Sequence, residues 1–309
     1  MSSELKTISI GMLGCGVVGS QVARLLQSDQ EELSKRSGAE LELKKIGVRT
    51  TGAREGIPAA LLTTDLLSVV NDPEINIVIE VMGGIEPARE LILAAIANKK
   101  SVITANKALL ATHGHELFNA ADAAGVDLYY EAAVAGAIPI IRSMRESLAG
   151  DQITRVMGIV NGTTNFILTK MDESGAAFGD ALSEAQALGF AEADPTADVE
   201  GFDAAAKAAI LAGLAFHSRV TDVDVYREGI TKITAAQIDA AKRDGYVIKI
   251  LAIAERILEN GVDAGVAVRV HPVLIDRKHP LGAVRGAFNA VFVEAVAPGQ
   301  GDVETELQV

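Results

Sequence analysis

Residues 7–19 read Thr7-Ile-Ser-Ile-Gly-Met-Leu-Gly-Cys-Gly-Val-Val-Gly19, and the reading of this stretch decides the fold. Its first half is a short apolar run of the kind that forms a buried strand, and residues 17–27 continue as a helical pattern. Between them, Gly14, Gly16 and Gly19 fit G-x-G-x-x-G. A dinucleotide needs the first glycine for a tight turn, the second for close backbone approach to the pyrophosphate and the third for close packing of helix on strand. The helix N-terminus then faces the anion. Alone, the pattern also describes a bland glycine-rich turn. A strand before it and a helix after it are the context that the nucleotide reading requires.

The alternation continues downstream. Strands are predicted at 41–48, 75–81, 101–104 and 128–130, with helical stretches at 58–70, 87–98 and 108–124. Short apolar strands alternating with helices predict a parallel sheet covered on both faces, a Rossmann-type doubly wound α/β domain over residues 1–135. After about residue 138 the strand candidates become longer and partly alternating, at 153–160, 246–257, 265–275 and 286–296, with Asn260-Gly261 as a hairpin signal between two of them. Helical patterns at 179–188, 204–215 and 235–243 would pack on one face. Residues 136–309 are therefore expected to form an α+β domain around a mostly antiparallel sheet.

Composition narrows the function. Acidic residues outnumber basic ones by 41 to 28, and with a formal charge of −13 and no basic block the chain is a poor match for nucleic acid. No run approaches the roughly 18 apolar residues of a membrane span, and the polar residues 1–6 do not read as a signal peptide. The single cysteine, Cys15, excludes an internal disulfide and a multi-cysteine metal site, and it agrees with a reducing compartment. A cytoplasmic address, with no membrane partner, is the expectation.

The end of the second strand distinguishes the two nicotinamide cofactors. A carboxylate there would bind the ribose 2′-hydroxyl, whereas an arginine suits a 2′-phosphate. This chain reads Ile46-Gly-Val-Arg49-Thr-Thr51, with Arg54 further on. NADP(H) is favoured over NAD(H), with Arg49 as the leading phosphate partner through a charge-assisted contact. A solvated loop arginine is the alternative.

Two lysines stand apart from the other basic residues. Lys107 follows the strand that ends at Thr104, at the carboxyl edge of the parallel sheet where ligands bind. Lys207 lies among alanines on a helix that reads as buried, so it either snorkels to water or has a partner. Asp203, four residues earlier, falls on the same helical face and supplies one, although an ordinary surface pair has the same spacing. Just upstream, Glu192, Asp194, Asp198 and Glu200 crowd a turn. These carboxylates read equally as a solvated loop, as an acidic cap on a helix N-terminus, or as a holder for the ammonium group of an amino-acid substrate.

Several segments together resemble homoserine dehydrogenases. They are the Gly14 to Gly19 loop, Thr104-Ala-Asn-Lys107, Glu131-Ala-Ala-Val-Ala-Gly-Ala-Ile-Pro-Ile-Ile141, Gly158-Ile-Val-Asn-Gly-Thr-Thr-Asn-Phe-Ile167, the segment from Gly189 to Asp198, and Asp203 with Lys207. The order and spacing match over roughly residues 5–295. The resemblance implies NAD(P)H-dependent interconversion of L-aspartate 4-semialdehyde and L-homoserine, on the route to threonine and methionine, by a homodimer formed through the second domain.

By the same resemblance, Lys207 is the proton donor to the carbonyl oxygen in the reducing direction, with Lys107 near that oxygen. Glu192, Asp198 and Asp203 hold the substrate, and a Gly162-Thr163 turn lines its pocket. Gly14, Gly16, Val17, Val18, Gly19, Arg49, Thr104, Lys107 and Gly189 surround the cofactor. A monovalent cation, usually sodium in this family, would be held by Glu131 and the backbone carbonyls of Val134, Gly136 and Ile138.

Two departures from the family pattern stand out. Phe190 replaces a common tyrosine, which removes a hydroxyl from the pocket. Residues 296–309 differ from the usual Gly-Pro-Gly-Ala-Gly-type turn and returning helix, so an incomplete cofactor pocket and no ACT-type regulation are expected. Aspartate semialdehyde dehydrogenase shares the substrate but needs a thiol nucleophile, and the only cysteine is in the glycine loop. Another amino-acid dehydrogenase and a catalytically dead nucleotide-binding homologue are the alternatives.

Overall fold

The computed structural model describes residues 5–260, 262–296 and 304–308, side chains of the last stretch excepted. The chain divides into two units, Met1–Ala133 and Val134–Val309. In chain order the first contains β1 (Lys6–Leu13), α1 (Val17–Ser28), α2 (Gln30–Ser37), β2 (Ala39–Gly47), β3 (Leu62–Thr63), α3 (Leu67–Val70), β4 (Ile77–Glu80), α4 (Ala88–Ala97), β5 (Ser101–Thr104), α5 (Lys107–Ala124) and β6 (Leu128–Tyr129). The strands form one sheet in the order β3-β2-β1-β4-β5-β6, with every neighbouring pair parallel. The chain winds outward from β1 to β3 and then resumes on the other side of β1 at β4. The crevice beyond the carboxyl ends of β1 and β4 is therefore the topological switch point, where open α/β sheets bind ligands.

The apolar pattern of β1 drives this arrangement. Ile10 and Met12 are buried with Leu43 and Ile46 of β2 and with Ala23 and Leu26 of α1. Each such aliphatic side chain contributes about 1.5–3 kcal/mol on full burial. One expectation fails here: residues 58–70 are not one helix. They hold a 3-10 turn (Ala59–Leu61), then β3, then α3. Thr63 pairs with Gly47 at the sheet edge, and the Asp65 carboxylate accepts from the Ser68 N–H at 3.1 Å, which starts the helix only after the strand has ended.

The second unit contains α6 (Ile140–Arg142), β7 (Gln152–Ile159), α7 (Gly162–Ser174), α8 (Phe178–Ala187), α9 (Thr196–Val199), α10 (Phe202–Phe216), β8 (Tyr226–Arg227), α11 (Ala235–Arg243), β9 (Tyr246–Glu259), β10 (Val262–Asp276), α12 (Pro280–Ala283), β11 (Ala290–Val296) and β12 (Glu304–Gln308). The sheet order is β12-β11-β7-β9-β10-β8, antiparallel throughout except for the β8/β10 pair. The α+β expectation with a mostly antiparallel sheet holds. The predicted hairpin joins β9 to β10, with Asn260 at φ 52° in the left-handed region that such turns use, while Gly261 lies outside the described residues. The strand predicted at 286–296 begins only at Ala290, after a turn at Gly286 with φ 60°.

Gly162 and Thr163 form the first turn of α7, a 13-residue helix whose Asn161 cap accepts from the Thr164 N–H. Helix α10 packs across β9 and β10, which brings its alanine face, including Ala204, Ala205, Ala208 and Ala212, into the core. The departure expected at the carboxyl end falls largely on residues 297–303 and 309, which lie outside the described residues.

Candidate active site

In the glycine loop after β1, Gly14 and Gly19 meet the steric needs that the spacing implies. Gly14 follows β1 with φ 101°, and its N–H donates to the Gly47 carbonyl at 2.9 Å. A Cβ at Gly14 would stand 2.7 Å from the Val81 carbonyl oxygen, and one at Gly19 would stand 2.5 Å from the Gly14 oxygen, so both positions are closed to a side chain. Gly16 is the opposite case. Nothing lies within 4 Å of where its Cβ would be, and no side chain caps α1, whose first residues Val17 and Val18 are exposed. Open space above uncapped backbone N–H groups at a helix N-terminus fits a pyrophosphate.

Arg49 is exposed two residues beyond β2. Arg54 shapes the loop instead: its guanidinium donates to the carbonyls of Thr50 at 3.1 Å, Gly52 at 2.9 Å and Cys15 at 3.4 Å. Thr104 closes β5 and is buried, whereas Lys107 opens α5 and is exposed, one residue after the Asn106 cap.

In the second unit Lys207 has the partner that its alanine surroundings demand. Its Nζ donates to Asp203 Oδ2 at 2.7 Å and to the Val160 carbonyl at 2.6 Å, with side-chain exposures of 14% for the lysine and 6% for the aspartate. The surface-pair alternative is thereby set aside. Asn161 completes the network. Its Nδ2 donates to Asp203 Oδ2 at 2.9 Å and to Asp198 Oδ1 at 2.7 Å, while its Oδ1 caps α7.

Thr163, next along α7, is buried and donates from its hydroxyl to the Phe190 carbonyl at 2.6 Å. The Phe190 ring is half exposed and rests 5.0 Å from the Phe166 ring. A Cβ on Gly162 would meet the Ala287 oxygen at 2.6 Å.

The acidic turn separates into distinct roles. Asp198 joins the Asn161 network. Asp194 is a local cap, held below the usual carboxylate range by hydrogen bonds from the Thr196 hydroxyl and N–H. Glu200 accepts from the Thr231 hydroxyl at 2.8 Å. Glu192 is exposed, and its backbone carbonyl accepts from Gln186 Nε2 at 3.0 Å. Gly189 ends α8 with φ 77°, its N–H bonded to the Gln186 carbonyl at 3.1 Å. Glu131 opens a 3-10 turn, Glu131–Ala133, at the end of the first unit. Val134, Gly136 and Ile138 follow in the second, and the Ile138 carbonyl accepts from the Ile140 N–H at 2.8 Å.

Sequence reading missed two polar residues. Asn161 was visible only as part of a longer motif. Glu80 sits within the apolar run predicted at 75–81 and is fully buried, and a carboxylate in such a strand is itself a signal of fixed hydrogen-bond partners.

One chain carries both a dinucleotide cradle and a buried ammonium backed by carboxylates, which is the equipment of carbonyl–alcohol redox chemistry. It is an NAD(P)-dependent oxidoreductase acting on CH–OH groups. Comparison with known proteins sharpens this. Residues 14–131 match the model of the homoserine dehydrogenase NAD-binding domain, and residues 139–303 match that of homoserine dehydrogenase. The homoserine dehydrogenase of Mycobacterium tuberculosis is 56% identical over 300 residues, covering 97% of this chain and 68% of that one.

Among solved structures, a homoserine dehydrogenase from Thiobacillus denitrificans aligns with a TM-score of 0.88 at 46% identity, over 98% of this chain and 69% of that one. A hyperthermophilic archaeal homoserine dehydrogenase in complex with NADPH aligns with a TM-score of 0.77 at 28% identity, over 98% and 91% of the two chains. The chain belongs to the homoserine dehydrogenase family.

Proposed function

We propose that the protein interconverts L-aspartate 4-semialdehyde and L-homoserine, with NADP(H) preferred over NAD(H). The observation that carries the reading is the Lys207 ammonium, fixed by Asp203 and the Val160 carbonyl and backed by Asn161. When bound, the nicotinamide supplies hydride to the aldehyde carbon in the reducing direction. The carbonyl oxygen then takes a proton from Lys207 Nζ, which its two acceptors, Asp203 and the Val160 carbonyl, orient. Asp203 and Asp198, joined through Asn161, form a carboxylate pair suited to the substrate ammonium, and Glu192 belongs to the same proposal from its exposed position. Lys107, which opens α5, belongs to the same proposal as the second lysine, for the positive charge it can offer a developing alkoxide.

The cofactor preference rests on the missing carboxylate at the end of β2 and on exposed Arg49. The residues around the cofactor are Gly14, Gly16, Val17, Val18, Gly19, Thr104 and Gly189. A monovalent cation such as sodium suits the segment from Glu131 to Ile138, whose carboxylate and backbone carbonyls are hard oxygen donors. The family resemblance also supports a homodimer through the second unit and a cytoplasmic biosynthetic role. Among the described residues no helix is long and apolar enough to cross a membrane.

The test is a spectrophotometric assay of L-homoserine oxidation with NADP⁺ and with NAD⁺. Turnover with the first cofactor favoured supports the reading. Binding of NADPH without turnover would identify a catalytically dead homologue, and turnover of a different amino-acid alcohol would reassign the substrate.

A further inference from the structure

One row of register partners crosses the carboxyl edge of the first sheet: Gly47, Leu13, Glu80 and Thr104. Glu80 is the charged member of that row and is wholly shielded from solvent. A carboxylate in such a place is destabilising unless its oxygens are satisfied. Here Oε1 accepts from the backbone N–H groups of Met82 at 2.8 Å and Gly83 at 3.2 Å, and Oε2 accepts from the Thr104 hydroxyl at 2.6 Å. Thr104 Oγ1 accepts in turn from the Asn106 N–H at 3.0 Å. The Asn106 side chain caps α5 through the Leu109 N–H at 3.2 Å and donates to the Gly84 carbonyl at 2.7 Å.

The contacts close a ring. It joins the loop after β4 to the loop after β5 and to the first turn of α5, where Lys107 stands. The β4 loop is also a wall of the switch-point crevice, because Gly14 and Gly19 pack directly on Val81. Its next residues, Gly83 and Gly84, have open space where a Cβ would project, so a ligand can approach their backbone closely.

We propose that Glu80 is a positioning residue for the nicotinamide half of the cofactor and for Lys107, acting through Thr104 and Asn106 without touching ligand. The inference rests on the cofactor reading above. Positioning groups held by rigid second contacts govern rate through geometry, so loss of the ring should loosen cofactor and lysine together.

The test uses the full chain as wild type and as Glu80→Gln, Thr104→Val, Thr104→Ser and the Glu80→Gln/Thr104→Val double variant. Glutamine keeps the volume but removes the charge and puts an amide donor where the Thr104 hydroxyl now donates, so the charge-assisted link is lost and at most a neutral bond of reversed direction replaces it. For Glu80→Gln the expected result is an NADPH KM raised about tenfold and a kcat lowered about fivefold, with the homoserine KM within about twofold of wild type. Hydrogen exchange in the cofactor-free protein should speed up about tenfold at Met82, Gly83 and Asn106 and stay unchanged in the second unit. Thr104→Val should behave alike, Thr104→Ser, which keeps the hydroxyl, should lie closer to wild type than Thr104→Val in every readout, and the double variant should be no worse than the poorer single one.

Should Glu80→Gln fail to fold, the Thr104→Val and Thr104→Ser pair carries the same readouts. Wild-type values for Glu80→Gln, or single effects that multiply in the double variant, would overturn the inference alone. A wild-type protein that neither binds NADPH nor turns over would overturn the cofactor reading and this inference with it.

Discussion

Replacing Lys207 with methionine should separate stability from chemistry. The substitution keeps the length of the chain but removes the ammonium that donates to Asp203 and Val160. Breaking a buried ion pair by deleting one partner costs about 3–5 kcal/mol. Asn161 still donates to Asp203, and the lysine is 14% exposed, so the lower end, about 3 kcal/mol, is the expectation. Adding Asp203→Asn should return about 1–2 kcal/mol, because a neutral amide then replaces a carboxylate left beside a methionine. Urea unfolding measures both steps.

Turnover should respond differently. With Lys207 as the proposed proton donor, kcat should fall by about 10²–10⁴, and the second substitution should not restore it. Lys207→Arg should also stay slow, since guanidinium keeps its proton. Lys207→Met with turnover within about threefold of wild type, despite lower stability, would refute the proton-donor role and pass it to Lys107.

Three further outcomes follow from the geometry. Arg49→Ala should weaken NADPH about 10- to 100-fold and leave NADH nearly unchanged in a fluorescence titration, because only the former has a 2′-phosphate to lose. Gly16→Ala places a methyl group in the open cradle and should reduce cofactor affinity with stability intact, whereas Gly19→Ala meets backbone at 2.5 Å and should lower the Tm. Lys249, buried in β9 and bonded to Asn165 Oδ1 and the Val284 carbonyl, is pushed down to about 8 from the usual 10.5 by burial and then by Arg285. Between those values the unfolded chain binds more protons than the folded one, so stability should rise from pH 8 to 10 by at most about 3 kcal/mol. Thermal melts of Lys249→Met across that range should lack the rise.

The legible parts of the fold were those with a single periodicity. β1, β5 and α11 stand where an apolar run or amphipathic stripe put them, and in the glycine loop Gly14 and Gly19 each meet backbone that leaves no room for a side chain. Helix α2 has no buried residue and is held by Lys35–Glu31 and Arg36–Glu32 pairs, so it leaves no hydrophobic signature. Helix α7 fails for the opposite reason: Thr163 to Leu168 are all buried, and a helix covered on every side has no stripe to detect.

In the candidate site, the Asp203–Lys207 pair was visible from i,i+4 spacing in an alanine helix. Asn161 stood in a quoted motif, but its role was not visible, since it meets its aspartates across 37 and 42 residues of sequence. Glu80 lay unnoticed inside an apolar strand because its partners are mostly backbone N–H groups and a single threonine hydroxyl, none of which has a spacing to read.

The central claim is hydride transfer between a nicotinamide and the aldehyde carbon of aspartate semialdehyde, with Lys207 completing the alcohol. The most direct measurement supplies NADPH deuterated at the transferable position of nicotinamide C4 together with L-aspartate 4-semialdehyde, and locates the label by mass spectrometry and NMR. The account predicts homoserine carrying one deuterium on its carbinol carbon from the wild-type protein and almost none from Lys207→Met. Unlabelled homoserine, or consumption of the aldehyde without homoserine, would contradict it.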